Sequence, residues 1–128
     1  MSVTHSTAAK NAATDAVTAL IGTSGKLKFR TTGTIGSPGT ALASLTLSAT
    51  GFGAAAGGVA TANAITSDTN AAGGGTCANA SLETSGGTLV IHCAAAASAS
   101  DINMSNGLVI SAGDTVSCSS LTYASLSA

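Results

Sequence analysis

A stretch of small side chains in the middle of the chain constrains the fold most. It runs from Gly51 to Gly75 and reads GFGAAAGGVATANAITSDTNAAGGG, with no Lys, Arg or His and a single acid, Asp68. Gly permits tight corners and positive φ angles, whereas Ala and Thr pack where two sheets approach each other closely. We therefore interpret the stretch as a folded strand-turn-strand segment, not as a disordered linker.

The rest of the chain shares this shortage of large apolar side chains. Hydrophobic residues make up 45% of the 128 residues, but 27 of them are Ala and only 24 are Val, Ile, Leu or Phe. A buried Ala removes far less apolar area from water than Leu or Phe, at about 25 cal/mol per Å². The length fits one domain, whose core must be thin. We expect oligomerisation or docking on a larger body to complete its stability.

Residues 1–22 predict an N-terminal helix or arm. The segment is rich in Ala, the strongest helix former, and Gly22 stands just past its predicted end. Thr4 or Ser6 is the predicted N-cap. Three apolar residues recur at three- and four-residue spacing, and we expect this stripe to cover the β body or a neighbouring subunit: Val17, Leu20 and Ile21.

Residues 23–128 predict a β body, because the apolar period changes to two. Leu27 and Phe29 alternate with three cations in the first strand, at residues 26–30. Further strands are predicted at residues 44–48, 59–65, 77–84, 88–93, 101–104, 108–110 and 115–124, with turn residues between them. About seven or eight short strands predict a single mainly β domain, a jelly roll or β-sandwich with an N-terminal α-helix.

The charge pattern argues against a nucleic-acid partner and against a membrane protein. The net charge is −1, and Lys26, Lys28 and Arg30 alternate on one strand without interleaved aromatic platforms. We interpret these three cations as the solvent face of that strand. No run reaches the roughly 18 apolar residues of a membrane span. Residues 1–5 lack the basic and apolar regions of a secretory signal.

We predict no catalytic, cofactor-binding or metal-binding residues. Asp68, Asp101 and Asp114 fall at predicted turns, Asp15 lies in the helix, and spacing places no partner beside Glu83. His92 is interpreted as a satisfied or edge histidine and should face away from Cys93. The three cysteines match no zinc spacing and are interpreted as buried thiols in a reducing cytoplasm, with one disulfide left open: Cys77, Cys93 and Cys118.

Two segments, read together with the helix and first strand, resemble a group of small tailed-bacteriophage proteins. They are FGAAAGGVATANAITSDTNA, beginning at Phe52, and DINMSNGLVISAGDTVSCSSLTYA, from Asp101 to Ala124. With the Ala-rich helix and the KLKFRTTGT strand, the resemblance covers about three-quarters of the chain. Each motif consists of common residues, so the resemblance depends on their order and spacing.

The resemblance implies a virion structural protein of the capsid cement or decoration type. Such a protein would bridge major capsid subunits on the outside of the head and form a dimer or trimer, after synthesis in the bacterial host cytoplasm. A neck, tail or fibre-attachment component is the first alternative. A glycan-binding or adhesive β-sandwich is the second, although such modules usually display more aromatic side chains. An enzyme is the least favoured reading because no acid-base or nucleophile pair is present.

Overall fold

The computed structural model describes residues 3–96, 102–104 and 107–125. It confirms a mainly β chain with one N-terminal helix, α1 (Thr7–Ile21). The Ser6 side chain caps the helix by accepting a hydrogen bond from the Ala9 amide at 3.1 Å. Gly22 ends it with φ +71° and donates its amide to the Ala19 carbonyl at 3.2 Å. Both predicted caps are therefore confirmed, with Ser6 and not Thr4 at the N-cap.

Ten strands follow the helix in the described ranges, where the sequence predicted seven or eight. In chain order they are β1 (Lys26–Arg30), β2 (Ala41–Leu47), β3 (Ala60–Thr61), β4 (Ile65–Thr66), β5 (Gly75–Thr76), β6 (Asn79–Glu83), β7 (Leu89–Ala96), β8 (Ile102–Asn103), β9 (Val109–Ile110) and β10 (Thr122–Tyr123). Most are two residues long, so four strands (β1, β2, β6 and β7) supply most of the regular pairing.

The central sheet has the order β4-β2-β1-β6-β7-β8, antiparallel except for the parallel pair β7 and β8. Its register sets Leu27 between Leu45 and Leu82, and Phe29 between Ala43 and Ala80. These side chains share one face of the sheet, because alternate residues of a strand point to the same side. All of them are buried. The apolar core lies on this face and extends to Ile21 of the helix, Phe52 and Leu121.

Two small ribbons, β3 with β10 and β5 with β9, accompany the central sheet. The segment predicted as one strand at residues 59–65 is divided, since β3 belongs to a ribbon and β4 to the central sheet. The long strand predicted at residues 115–124 is reduced to β10 and one bridge between Asp68 and Val116. A jelly roll or sandwich remains a prediction, because the described strands form one large sheet and two ribbons.

The glycine-rich stretch from Gly51 to Gly75 is folded, as predicted. It contributes β3, β4 and the first residue of β5 to the pairing. Gly73, at φ +62°, shows why glycine is needed, since an added Cβ would stand 2.1 Å from the carbonyl carbon of Ser111. Two backbone segments therefore cross there at a separation that admits no side chain.

The predicted turn at Gly86-Gly87 is confirmed, with Gly87 at φ +95° between β6 and β7. Asp101 and the Asn106 half of a second predicted turn lie outside the described residues. Within the described ranges, no helix is long and apolar enough to cross a membrane.

Candidate functional site

The helix is attached to the body through polar side chains that bond to backbone atoms. Asn11 Oδ1 accepts a hydrogen bond from the Gly58 amide at 2.8 Å, and Asp15 Oδ1 accepts one from the Ala55 amide at 2.8 Å. Gly58 has φ +84°, and a Cβ there would stand 2.9 Å from the Lys10 side chain. The glycine-rich stretch therefore forms the seat of the helix, where missing side chains permit a close approach.

Thr14 lies at the centre of this attachment and is fully buried. Its hydroxyl donates to the Gly58 carbonyl at 2.8 Å and accepts from the Ser125 amide at 3.1 Å. One side chain thus joins the helix, the glycine-rich stretch and the C-terminal segment after β10. A buried hydroxyl with both partners satisfied stabilises this junction, whereas a lost partner would cost the desolvation of the other groups.

The outward side of the helix is apolar and carries only small side chains apart from one leucine. Its exposed residues between Ala8 and the last turn occupy one arc of the helix: Ala8, Ala9, Ala12, Ala16, Ala19 and Leu20. We call this arc the outer helix face. It reverses the usual arrangement, in which a surface helix turns its apolar side towards its own core.

The predicted stripe of Val17, Leu20 and Ile21 is therefore wrong as a single surface. Ile21 is 1% exposed and belongs to the core, whereas Leu20 is 66% exposed on the outer helix face. Leu20 and Ile21 point about 100° apart around the helix axis, and the seating of the helix turns Ile21 into the core and Leu20 outwards. Asn11, Thr14 and Asp15 point towards the glycine-rich stretch in place of the predicted apolar side chains.

A network of charged side chains lies on the other face of the central sheet. Glu83 is 1% exposed and accepts from two cations, Lys28 Nζ at 2.9 Å and Arg30 Nη2 at 3.0 Å. Arg30 Nε also donates to Ser81 Oγ at 3.1 Å, and Arg30 Nη1 donates to the Gly39 carbonyl. The carboxylate is compensated by two cations, so its burial does not leave a lone charge.

Two sequence predictions are corrected by this network. Glu83 has ion-pair partners, although spacing along the chain indicated none, and Arg30 is buried where a solvent-facing side chain was predicted. The register of β1 on β6 places the three cations on the same face as Glu83, with Lys26 opposite Glu83 and Lys28 opposite Ser81. The long Arg30 side chain extends along this face to reach Glu83. The matching period-two patterns of residues 26–30 and 79–83 were the available signal, but pairing of these strands was not evident from sequence.

Lys26 shares this face with Lys28, Arg30, Glu83 and Thr46, and we call these residues the charged sheet face. Lys26 Nζ donates a hydrogen bond at 2.9 Å to Thr46 Oγ1, a neutral hydroxyl. Lys28 keeps 27% of its side chain exposed, so the cationic edge of the network reaches solvent. The prediction of a solvent face therefore holds in part for Lys26 and Lys28 and fails for Arg30.

His92 extends the same face onto β7, where it stands opposite Ser81. Cys93 pairs with Ala80, so the two neighbours point to opposite faces, as predicted. The prediction of a satisfied histidine is not met at Nε2, which is buried without a hydrogen-bond partner among the residues that the structure describes. The described part of β8 pairs with Ala95 and Ala96, so at His92 the described pairing of β7 is with β6 alone, in agreement with an edge position.

The three cysteines are Cys77, Cys93 and Cys118, of which Cys77 and Cys118 are free thiols. Cys77 is buried, and the other two are half-buried. Burial raises the pKa of Cys77 and of Cys118 above the ordinary value, against the smaller lowering effect of backbone hydrogen bonds. These thiols are therefore neutral and weakly nucleophilic at pH 7.

The aspartates at the turns accept hydrogen bonds from backbone amides. Asp68 accepts from the Ser44 amide at 2.9 Å and from the Asn70 amide at 3.0 Å, and Asp114 accepts from the Ser111 amide at 2.8 Å. Such bonds are the usual reason for Asp in turns, which supports the prediction for these two residues. By occupying the Ser44 amide, Asp68 also blocks part of the β2 edge against pairing with another strand.

A cavity of about 630 Å³ lies between β1 and the segment before β10. Its lining includes the apolar side chains of Phe29, Ile102 and Met104, and Asp114 and Cys118 are the ionisable groups in its described lining. In the described part of the chain, no three His, Cys, Asp or Glu side chains come together as metal ligands.

The described part of the chain presents two candidate functional surfaces. They are the apolar outer helix face and the charged sheet face.

Comparison with known proteins returns no match. No protein-family model, no curated protein and no solved structure matches this chain.

Proposed function

We propose that the chain is a non-enzymatic structural protein of a phage virion, which cements or decorates the outer capsid by bridging major capsid subunits. The outer helix face is the observation that carries this proposal, together with the sequence resemblance. A helix that bonds to its own body through Asn11, Thr14 and Asp15 leaves its alanines and Leu20 available for another molecule. An assembly protein needs such a surface, because it acts by burying area and not by a reaction.

The pattern of the outer helix face supports contact with a second copy. In an antiparallel pair centred on Thr14, Leu20 of one helix would lie against Ala8 of the other, Ala19 against Ala9, and Ala16 against Ala12. Two-fold contacts require this self-complementarity, and small residues let two helices approach closely with one large side chain against one small. The pattern is consistent with a homo-oligomer as one partner of the chain and the major capsid protein as the other.

The small size of the outer helix face favours a protein that binds in many copies on a symmetric particle. A helix of 15 residues is about 22 Å long, so one helix pair buries less than the roughly 800 Å² per partner of a stable interface. Contacts that are weak singly become effective when many copies are held on one symmetric particle. A thin core of Ala, Leu and a few aromatic side chains also gains stability from such contacts.

The first test is the copy number in purified virions of the phage that encodes the chain. Quantitative mass spectrometry should give a ratio to the major capsid protein that is comparable to one. A handful of copies would assign the chain to the neck, tail or fibre attachment. Absence from the particle would overturn the virion proposal altogether.

The second test is a pair of variants at exposed apolar residues. Leu20→Asp should leave the β body folded, because Leu20 is exposed, yet abolish self-association and binding to capsids lacking the protein. Ile35→Asp introduces the same charge at another exposed residue, in the loop after β1, and should assemble like the wild type. Light scattering and co-sedimentation with capsids measure both steps. Normal assembly of Leu20→Asp would exclude the outer helix face as the interface.

A further inference from the structure

The charges of this chain are distributed unevenly between its surfaces. Three of its four basic residues stand on β1 within the charged sheet face, and Glu83 is the acid among them. These four residues carry a formal charge of +2, while the rest of the chain carries −3, in agreement with the net charge of −1. A concentrated cationic surface on a weakly acidic protein attracts groups of negative charge.

Two of the cations have capacity for a further anionic partner. Lys26 Nζ bonds to the neutral Thr46 hydroxyl, and no carboxylate of the described residues stands within ion-pair distance of it. Lys28 shares Glu83 with Arg30 and keeps 27% of its side chain exposed. Arg30 is buried and holds Glu83 in place, so it orients the network instead of meeting a partner.

We propose that the charged sheet face docks a carboxylate-rich extended segment of a partner protein. Lys26 and Lys28 are two residues apart on one strand, so their side chains leave the sheet about 6.5 Å apart. Acidic residues at alternate positions of an extended segment have the same spacing. Thr46 and Ser44 stand beside the two lysines on β2 and supply hydroxyl groups at the rim of the same surface.

A protein segment fits this surface better than a nucleic acid does. The cations occupy one five-residue strand, about 13 Å long, whereas phosphate backbones are bound by broader positive surfaces. Among the described residues of this face there is no Phe, Tyr or Trp side chain on which bases could stack, since Phe29 faces the apolar core. Identification of the partner as the major capsid protein rests on the proposed function, whereas the docking chemistry does not.

The test uses the full chain and two synthetic peptides, one of alternating Glu and Thr and a matched one of alternating Gln and Thr. Binding is measured by fluorescence anisotropy at about 0.1 M salt, where the Debye length of about 10 Å keeps distant charges from contributing. Lys26→Gln should weaken binding of the Glu peptide about two- to fivefold, the range of one exposed ion pair. Lys26→Arg should preserve it.

Lys10→Gln is the matched control, because it removes one positive charge from the helix, outside the charged sheet face. It should bind the Glu peptide like the wild type, and the Gln peptide should bind to none of the proteins. Equal loss in Lys10→Gln and Lys26→Gln would overturn the proposal, as would tighter binding of an oligothymidylate of the same charge. A change of oligomeric state in Lys26→Gln would assign the face to a second copy and would also overturn it.

Failure here is distinguishable from failure of the proposed function. If the chain is abundant in virions but Lys26→Gln binds the Glu peptide normally, the docking surface is wrong and the cement role stands. If the peptide result is as expected but the chain is absent from virions, the surface stands and the cement role is wrong.

Discussion

The central sheet and the N-terminal helix are held in place by different interactions, apolar packing in the sheet and hydrogen bonds at the helix. The sheet is held by large apolar side chains, with Leu27 between Leu45 and Leu82 in the buried layer. The helix is held largely by Asn11, Thr14 and Asp15, which bond to backbone atoms of residues without large side chains. A chain with few large apolar residues thus concentrates them in one sheet and attaches its other element by hydrogen bonds.

The difference explains why the helix can present alanines and Leu20 to the outside. Hydrogen bonds to the glycine-rich stretch position the helix, so the outer helix face does not have to be buried for the helix to be attached. An apolar attachment would have buried that side and left a polar helix surface. The two regions should therefore respond differently to truncation of side chains, to loss of a hydroxyl and to pH.

The largest expected effect is in the sheet. Leu45→Ala should lower the free energy of unfolding by about 2–5 kcal/mol, because Leu45 is fully buried and its removal leaves a cavity. Urea denaturation followed by circular dichroism measures the change. Leu20→Ala is the control, with an expected loss within about 0.5 kcal/mol since Leu20 is exposed. Similar losses in both variants would contradict the assignment of the core to the sheet.

A smaller and more local effect is expected at the helix attachment. Thr14→Val keeps the shape of the side chain but leaves the Gly58 carbonyl and the Ser125 amide without their partner, at a cost of about 1–3 kcal/mol. Hydrogen exchange should increase in the helix and near Ser125 while β1, β2 and β6 stay protected. Thr18→Val is the control, because among the described residues the Thr18 hydroxyl bonds within the helix, to the Asp15 carbonyl at 3.2 Å. Uniform loss of protection throughout the chain would show that the helix and the sheet unfold together.

The smallest expected effect is a dependence on alkaline pH that belongs to the β body. Burial raises the pKa of Cys77 and Cys118 above that of an ordinary thiol, so the folded chain holds these protons more tightly than the unfolded chain. Their contribution to stability is therefore complete below the unfolded pKa and is lost as the pH rises through the folded one. Asn11 and Thr14 have no group that titrates in this range, so the helix attachment should not share the effect.

The measurement is urea denaturation between about pH 8 and pH 10, where an ordinary thiol titrates. A Cys77→Ala and Cys118→Ala double variant should show a shallower fall in stability over that range than the wild type. An identical fall in both proteins would mean that other groups cause it.

Much of the secondary structure was predictable because it depends on neighbours along the chain. Ser6 and Gly22 cap the helix by local hydrogen bonds, and the alternation of residues 26–30 identifies β1 directly. The same pattern did not reveal that residues 59–65 divide between two sheets, because each short strand is defined by its partner. The jelly roll or sandwich stays a prediction for the same reason, because topology depends on which strands pair and the described strands form one six-stranded sheet and two ribbons.

The two candidate surfaces show the same division. Local patterns alone indicate an Ala-rich helix, a β1 strand that alternates Lys and Arg with Leu and Phe, and a close backbone approach within residues 51–75. The bonds from Thr14 to Gly58 and Ser125, the contacts of Glu83 with Lys28 and Arg30, and the outward direction of Leu20 beside the buried Ile21 become visible once the segments are folded together. Helical and strand periods are set within a few residues, whereas these contacts join residues up to 111 positions apart and depend on how the segments are placed.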